Sequence, residues 1–427
     1  MTEPNSNTTL IQRSLARRYR AEKRFRSYGL LAIAFGLFCV ATLFFDIISK
    51  GHGAFRQTYV NLGVNYDVEL LGIRDVNDAR QVATADYQAL VSEALTQRLG
   101  EVSGRQARRE FKQLMSNGAA YELQDRLTAN PELLGASENL WLPADDDLDT
   151  YYKSLDDDGQ GFTGRVSERQ QAWVRELIDA GAIRLQFNWV FFRAGDSREP
   201  EQAGIGGAAM GSFLTLLITF LLSFPIGVAA AVYLEEFAPK NRWTEFIEVN
   251  INNLAAVPSI IFGLLGLAIL INFFNVPRSV PVIGGLVLTL MTLPTIIISS
   301  RAAIKSVPPS IREAAIGIGA SPMQVVWQHV LPLAMPGMLT GSIIGMAQAL
   351  GETAPLLMIG MVAFIVDIPQ GFTDPATVLP VQIFLWSDSP ERAFVEKTSA
   401  AIMVLLTFLI SMNALAVVLR RRLERRW

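Results

Sequence analysis

The stretch Ser310-Ile311-Arg312-Glu313-Ala314-Ala315-Ile316-Gly317-Ile318-Gly319, continuing to Leu331-Pro332, decides how this chain is read. It lies between two long apolar segments, and local rules write it as two short helices around a glycine break. Pro308-Pro309 ends the preceding helix and sets a turn. Ser310 is expected as N-cap, with Glu313 three residues on completing a capping box. Ala314 and Ala315 favour helix without adding bulk. Gly319 fits the left-handed position just past a helix end. Ser321 should cap a second helix, with Pro322 in its first turn and Gln324 repeating the box. Pro332 and Pro336 should then break the chain before the next apolar segment. Arg301, Lys305 and Arg312 flank the hairpin. A bland reading makes it a well-capped connector. A plain connection needs only a few residues, however, so its length points to a structure that another protein grips.

The chain around it is that of a membrane protein. It has 427 residues, half of them hydrophobic, with a mean hydropathy of +0.29. A helix crosses a bilayer with about 20 apolar residues. Runs of that size cover residues 29–49, 205–234, 251–274, 282–300, 338–366 (interrupted) and 400–419, giving six expected spans. The first is too long for the apolar part of a signal peptide and has no small-x-small cleavage site at the right distance, so it reads as an uncleaved anchor. The single cysteine, Cys39, lies inside it. It cannot form an intrachain disulfide and reads as inert packing.

Flanking charge sets the expected orientation. Arg13, Arg17, Arg18, Arg20, Lys23, Arg24 and Arg26 precede the first run, against Glu3 and Glu22 alone. Arg420, Arg421, Arg422, Arg425 and Arg426 follow the last. Basic residues stay on the cytoplasmic side, so both termini are expected inside a bacterial inner membrane, crossed several times. The expected layout is a basic cytoplasmic N-terminus at 1–28, a first helix at 29–49, an extracytoplasmic domain at 50–204, a five-helix core at 205–419 with the hairpin loop at 301–335, and a basic cytoplasmic tail at 420–427. The net charge of −3 averages basic ends with an acidic middle and decides nothing.

The polar segment 50–204 is long enough for one small domain. Its first half reads as mostly helical, over 75–98 and 106–127, with a strand within 59–73. Residues 145–158 read as acidic and turn-rich. Asp156-Asp157-Asp158-Gly159 has the look of a calcium loop. Its twelfth position would be Arg165, where a bidentate Glu is required, so a solvated turn is preferred. No function follows for this domain from its residues.

Glu313-Ala314-Ala315, then Gly319, then Leu331-Pro332 resemble the coupling loop of permeases in ATP-binding-cassette importers. The family prefers Ile two residues before the Leu, where this chain has His329. Val257-Pro258-Ser259-Ile260-Ile261-Phe262-Gly263 and Leu350-Gly351-Glu352-Thr353-Ala354-Pro355-Leu356-Leu357 look like segments of phosphate importer permeases, and Met210-Gly211-Ser212 to Tyr233-Leu234 is similar to their first core span. The resemblance covers about residues 205–427 and is nearest to the A-type permeases (PstA) of the phosphate-specific transport system. The segment 50–204 resembles an N-terminal extension found in a subset of them. The resemblance implies an all-α integral membrane protein with a type I (MetI-like) permease core. It also implies a second permease subunit, an ATPase dimer that grips Arg312, Glu313, Ala314, Ala315, Gly319, Leu331 and Pro332, an extracytoplasmic phosphate-binding protein, and phosphate as cargo. Membrane lipid surrounds the chain, and no nucleic acid is implied.

The residues expected along a translocation path are Pro258, Ser259, Arg301, Gly351, Glu352 and Thr353. A carboxylate in or near an apolar span is costly and faces a cavity or a partner. Glu352 therefore either lines a break in the fifth span, as freed backbone groups do at transporter sites, or bonds a neighbouring helix. It would repel phosphate directly, so positioning an Arg suits it better. Arg301 either meets an anion through charge-assisted bonds or snorkels to the headgroups. Pro258 leaves a carbonyl unpaired, which Ser259 either satisfies or turns toward the pore. His52 and His329 are the only histidines and lie in different loops, so no metal site is expected. No Gly-x-x-x-x-Gly-Lys-Ser/Thr loop occurs. The chain is therefore expected to have no catalytic residue and no cofactor of its own, with ATP bound by the partner. The rival readings are a permease for another oxyanion such as sulfate or molybdate, an ion-driven secondary transporter, and a membrane sensor. A sensor needs fewer spans.

Overall fold

The computed structural model describes residues 6–76, 78–158 and 164–423. Residues 1–5, 424–427 and the Gly159 end of the calcium-loop-like phrase lie outside the described residues. Helix α1 (Ser6–Gly51) contains the first apolar run. Cys39 lies on it.

The segment after α1 folds around a three-stranded antiparallel sheet. Strand β1 (Arg56–Asn65) is central. Val60, Leu62 and Val64 alternate along it and are fully buried, the period-2 pattern of a strand with one covered face. Helices Ala79–Thr84, Tyr87–Leu99, Arg105–Lys112 and Asn117–Ala129 follow. Strand β2 (Ser137–Pro143) pairs with β1 from Tyr59↔Pro143 to Asn65↔Ser137. The acidic stretch expected to be turn-rich is helix α2 (Asp146–Asp158). Its first turn carries Asp146, Asp147 and Asp149, where acids meet the positive end of the helix dipole. Leu148 and Tyr151 give it a buried face. Strand β3 (Ile183–Phe187) closes the sheet from Arg56↔Phe187 to Val60↔Ile183. Tyr66, Ile73, Leu90, Leu123 and Leu142 are among the side chains filling the core between sheet and helices.

The rest is helical. Helix α3 (Gly206–Phe237) runs through Pro225 and ends in a π turn over Tyr233–Phe237. Helix α4 (Arg242–Ala255) is capped by the Asn241 side chain, which accepts from Trp243 N and Thr244 N. Helix α5 (Ser259–Ile271) leaves it at 104°. Helices α6 (Pro281–Lys305), α7 (Pro309–Gly317) and α8 (Pro322–Leu350) follow. The short α9 (Ala354–Met358) and α10 (Leu379–Ser387) lead to α11 (Ala393–Leu423).

Five described helices, α1, α3, α6, α8 and α11, are long and apolar enough to cross a membrane, and the bent pair α4–α5 makes a sixth if it counts as one span. Two expected spans are present with different bounds and shape. The run at 251–274 begins inside α4 and turns at Pro258, whose backbone is extended (φ −56°, ψ 136°); proline cannot donate the bond that would carry the helix through. The interrupted run at 338–366 is the end of α8, a break and one helical turn. Pro332 and Pro336 do not break the chain either. A π turn over Val325–Val330 precedes them, and Leu331 N bonds Val326 O, five residues back. The wider turn absorbs the missing donor and the ring clash of Pro332.

Helices α3 and α6 meet without side-chain bulk between them. A Cβ on Gly285 would stand 2.6 Å from Ile218 Cβ, and Thr219 Oγ1 donates to Gly285 O at 3.3 Å. Small residues of this kind let helices approach closely in lipid.

Candidate functional site

The hairpin between α6 and α8 is built as expected at its centre and differently at its start. Helix α7 begins at Pro309, preceded by Pro308, with no side-chain cap. Ser310 therefore lies inside the first turn and the Ser310–Glu313 box does not form. Pro309 in the first helical position, with φ already set, starts the helix one residue earlier than a serine cap would. At the far end Gly319 adopts φ +93°. Ala320 N bonds Ala315 O at 3.1 Å and Gly319 N bonds Ile316 O at 2.9 Å, the paired closure of a Schellman end. The second box forms: Gln324 N bonds Ser321 Oγ and Ser321 N bonds Gln324 Oε1. The second helix of the hairpin is continuous with α8.

Ala315 is buried with Val325, Val330 and Ala334, which fixes the angle between α7 and α8. Arg312 points back to the bundle. Its Nη2 donates to Glu236 Oε1 at 2.7 Å and to Ile304 O at 3.0 Å, and its Nη1 donates to Val307 O at 2.7 Å. The outer surface of the hairpin is left apolar: Ile316, Ile318, Met323 and Trp327 are 56–83% exposed. Glu313 and Ala314 are exposed beside them, Leu331 is half-buried and Pro332 exposed.

Arg301 is engaged in a second ion-pair cluster, one turn of α6 before Lys305. Its Nε donates to Glu235 and its Nη2 lies 2.8 Å from Glu248 Oε1. Lys305 Nζ is 3.3 Å from the same Glu235 carboxylate. The Arg301 side chain is only 11% exposed, so it neither snorkels nor presents a free guanidinium. Glu235, Glu236 and Glu248 are functional candidates that sequence reasoning misses. The loop holding them sets Glu235, Glu236, Glu245 and Glu248 against Lys240 and Arg242, which by itself reads as a solvated face. The usable signal is a pair of acids closing an apolar span with two arginines elsewhere in need of partners.

The other candidate residues sit at two chain breaks that the fold brings side by side. Pro258-Ser259 opens α5, and Gly351-Glu352-Thr353 separates α8 from α9. Helices α5 and α9 pack so closely that a Cβ on Gly263 would stand 2.6 Å from Pro355 Cα. Glu352 is half-buried. Arg301 is not part of this pair of breaks. Among the described residues, Asp145, Asp146 and Asp147 bring carboxylate oxygens within 4.8 Å of one another at the start of α2, a grouping that the spacing of histidines and cysteines does not anticipate.

Residues 223–426 match the family described as binding-protein-dependent transport system inner membrane components. The match covers most of the membrane core, from within α3 to the end of α11. Residues 12–159 match a domain of unknown function. The chain is 34% identical over 182 residues to a probable ABC transporter permease, YqgI, of Bacillus subtilis, a match covering 42% of this chain and 60% of that one. It is 29% identical over 224 residues to the phosphate transport system permease PstA 2 of Mycobacterium bovis, covering 52% of this chain and 74% of the relative. Among solved structures, an inward-facing form of the MetNI methionine ABC transporter matches with 20% identity and a TM-score of 0.42, over 50% of this chain and 95% of that chain. The chain thus spans about three-fifths of the length of the Bacillus permease. It is a multi-pass membrane protein with an all-helical core, and its sheet is confined to the inserted domain.

Proposed function

We propose that this permease is half of the pore of an ATP-driven inorganic phosphate importer. The observation that carries the coupling half of this reading is the hairpin: Arg312 and Ala315 hold it rigidly to α3, α6 and α8, while Ile318 on its tip is 83% exposed. A rigid knob with an apolar tip, exposed in the isolated chain, fits a groove on another protein and passes that protein's motion to three helices at once. The names of the relatives support phosphate as cargo. The basic flanks of α1 and α11 support an orientation with both termini and the hairpin inside and the inserted domain outside. The ATPase dimer binds the exposed face of the hairpin, Glu313, Ile316, Ile318, Met323 and Trp327. Arg312 and Ala315, expected from the sequence to be gripped, face the bundle instead. A second permease completes the pore, and an external binding protein delivers phosphate to the side bearing the inserted domain.

In this scheme ATP-driven closure of the ATPase dimer pushes α7. The push reaches α3 through Glu236 and α6 through the carbonyls that Arg312 holds. The Glu235–Arg301–Glu248 cluster ties α3, α4 and α6 together, so these helices shift as a body. The breaks at Pro258-Ser259 and Gly351-Glu352-Thr353 lie along the path, as interrupted helices do at transporter sites. Glu352 holds a donor in place without touching the anion.

The test is uptake of labelled phosphate by proteoliposomes holding the permease pair and the ATPase. Uptake that needs ATP and is not competed by sulfate or molybdate supports the reading. Preference for either of those ions moves the assignment to another oxyanion, and uptake driven by an ion gradient without ATPase overturns it.

A further inference from the structure

The inserted domain plays no part in the coupling just described, yet buried charge fastens it to the core. Lys153 of α2, its side chain 9% exposed, lies 2.7 Å from Asp149 and 3.1 Å from Glu396 of α11. Asp149 also accepts from Thr58 N of β1 at 2.7 Å. Gly53 sits so close to Glu396 that a Cβ would collide with its carboxylate. Next along α11, Lys397 is buried and donates to Ala203 O at 2.6 Å. Withdrawing charges from water costs several kcal/mol per ion unless they are paired, so this interface is specified rather than incidental.

A second fastening lies where the chain leaves the domain. Gly195 packs onto the Val366 carbonyl with no room for a Cβ. Asp196 N donates to Ile365 O at 3.1 Å, and its Oδ1 accepts from Trp386 Nε1 of α10 at 2.9 Å. The Arg198 guanidinium lies 5.7 Å from the Phe364 ring centre. The segment held here, 361–368, directly follows the Gly351–Thr353 break and α9. A cleft of about 1000 Å³ opens between domain and segment, with Tyr59, Tyr121 and Glu201 on one side and Phe364, Val366 and Asp367 on the other.

We propose that the inserted domain is a clasp on the outer mouth of the pore. Anchored to α11 through Lys153, it uses Gly195 and Asp196 to hold segment 361–368 and so sets how far the mouth beside the Gly351–Thr353 break opens. Asp196 is the positioning residue: it joins the segment by its backbone and α10 by its carboxylate. The proposal rests on the transport reading above and gives the domain of unknown function a role within it.

The test uses the assembled transporter in proteoliposomes. Asp196→Leu and Gly195→Ala are expected to raise amide exchange in residues 362–368 roughly tenfold while exchange in α6 stays unchanged. Both lower the maximal rate of phosphate uptake roughly fivefold, with the half-saturating phosphate concentration unchanged. Asp196→Asn keeps an oxygen for the Trp386 indole and restores both readouts. If Gly195→Ala fails to assemble, Arg198→Ala probes the same segment from the surface. Faster exchange with wild-type uptake overturns the clasp, as does unchanged exchange. No ATP-driven uptake by the wild-type complex sinks the transport reading instead, and the exchange data then still report whether the linker holds the segment.

Discussion

Arg312 Nη2 and Glu236 Oε1 lie 2.7 Å apart across 76 residues of sequence. The pair joins the first helix of the hairpin to the end of α3. The same guanidinium bonds the carbonyls of Ile304 and Val307 at the end of α6, where a cation also suits the negative end of a helix dipole. One side chain thus ties three helices at the point where the hairpin leaves the bundle.

Arg312→Met should loosen that joint without unfolding the bundle. Hydrogen bonds to charged groups are worth about 1.5–3 kcal/mol; with the Arg312 side chain 23% exposed, a local loss of about 2 kcal/mol is expected. Amide exchange in α7 should accelerate relative to α6, and ATP-driven uptake should fall. Arg312→Lys should not rescue it, because an ammonium cannot reproduce the planar fork that spans Glu236 and two carbonyls.

Gly319 has φ +93°, and a Cβ placed there would meet no atom within 4 Å, so the constraint is the backbone rather than space. Gly319→Ala should cost about 1–2 kcal/mol through strain alone. Gly319→Pro, which forces φ near −65°, should destroy the Schellman end and abolish uptake while membrane insertion stays intact. Insertion is read by membrane fractionation and transport by labelled phosphate. Wild-type uptake in the proline variant would make the hairpin a mere linker.

The inserted domain should be more stable in mild acid than in mild base. Burial, then the neighbouring Asp146 and Glu201, push the Asp145 carboxyl up to about 8. Burial also pushes Glu201 up to about 7, against the Ser116 hydrogen bond. In the unfolded chain such groups ionise near pH 4. Between there and pH 8 the folded domain therefore keeps protons that the unfolded chain has released, and stability falls as pH rises through that window, then levels off. Thermal unfolding of the full chain should show a higher midpoint at pH 5.5 than at pH 8.5, and the double variant Asp145→Asn, Glu201→Gln should shrink the difference.

The long spans, the Gly319 end and the Ser321 box are legible in the sequence because each depends on residues within one or two turns. The Ser310 cap misleads because Pro309, a neighbour, starts the helix first. Pro332 misleads because a π turn, which has no simple residue signature, precedes it. The acidic stretch at 145–158 reads as loop by composition, yet Leu148 and Tyr151 supply the buried face that makes it helix. Of the sheet only β1 leaves a trace, since β2 and β3 are short and their burial alternates only in part. Ion pairs are the least legible: Arg301–Glu235, Arg312–Glu236 and Lys153–Glu396 join residues 66, 76 and 243 positions apart. Nothing local distinguishes those carboxylates from solvated ones.

The most direct measurement places a photo-crosslinking residue at Ile318 in membranes that contain the assembled transporter. The tip faces outward from the bundle and touches nothing that the fold needs, so the substitution should leave stability within about 0.5 kcal/mol. The account predicts one dominant adduct with the ATPase subunit, weakened when ATP is depleted. Adducts with lipid alone, at wild-type rates of transport, would contradict it.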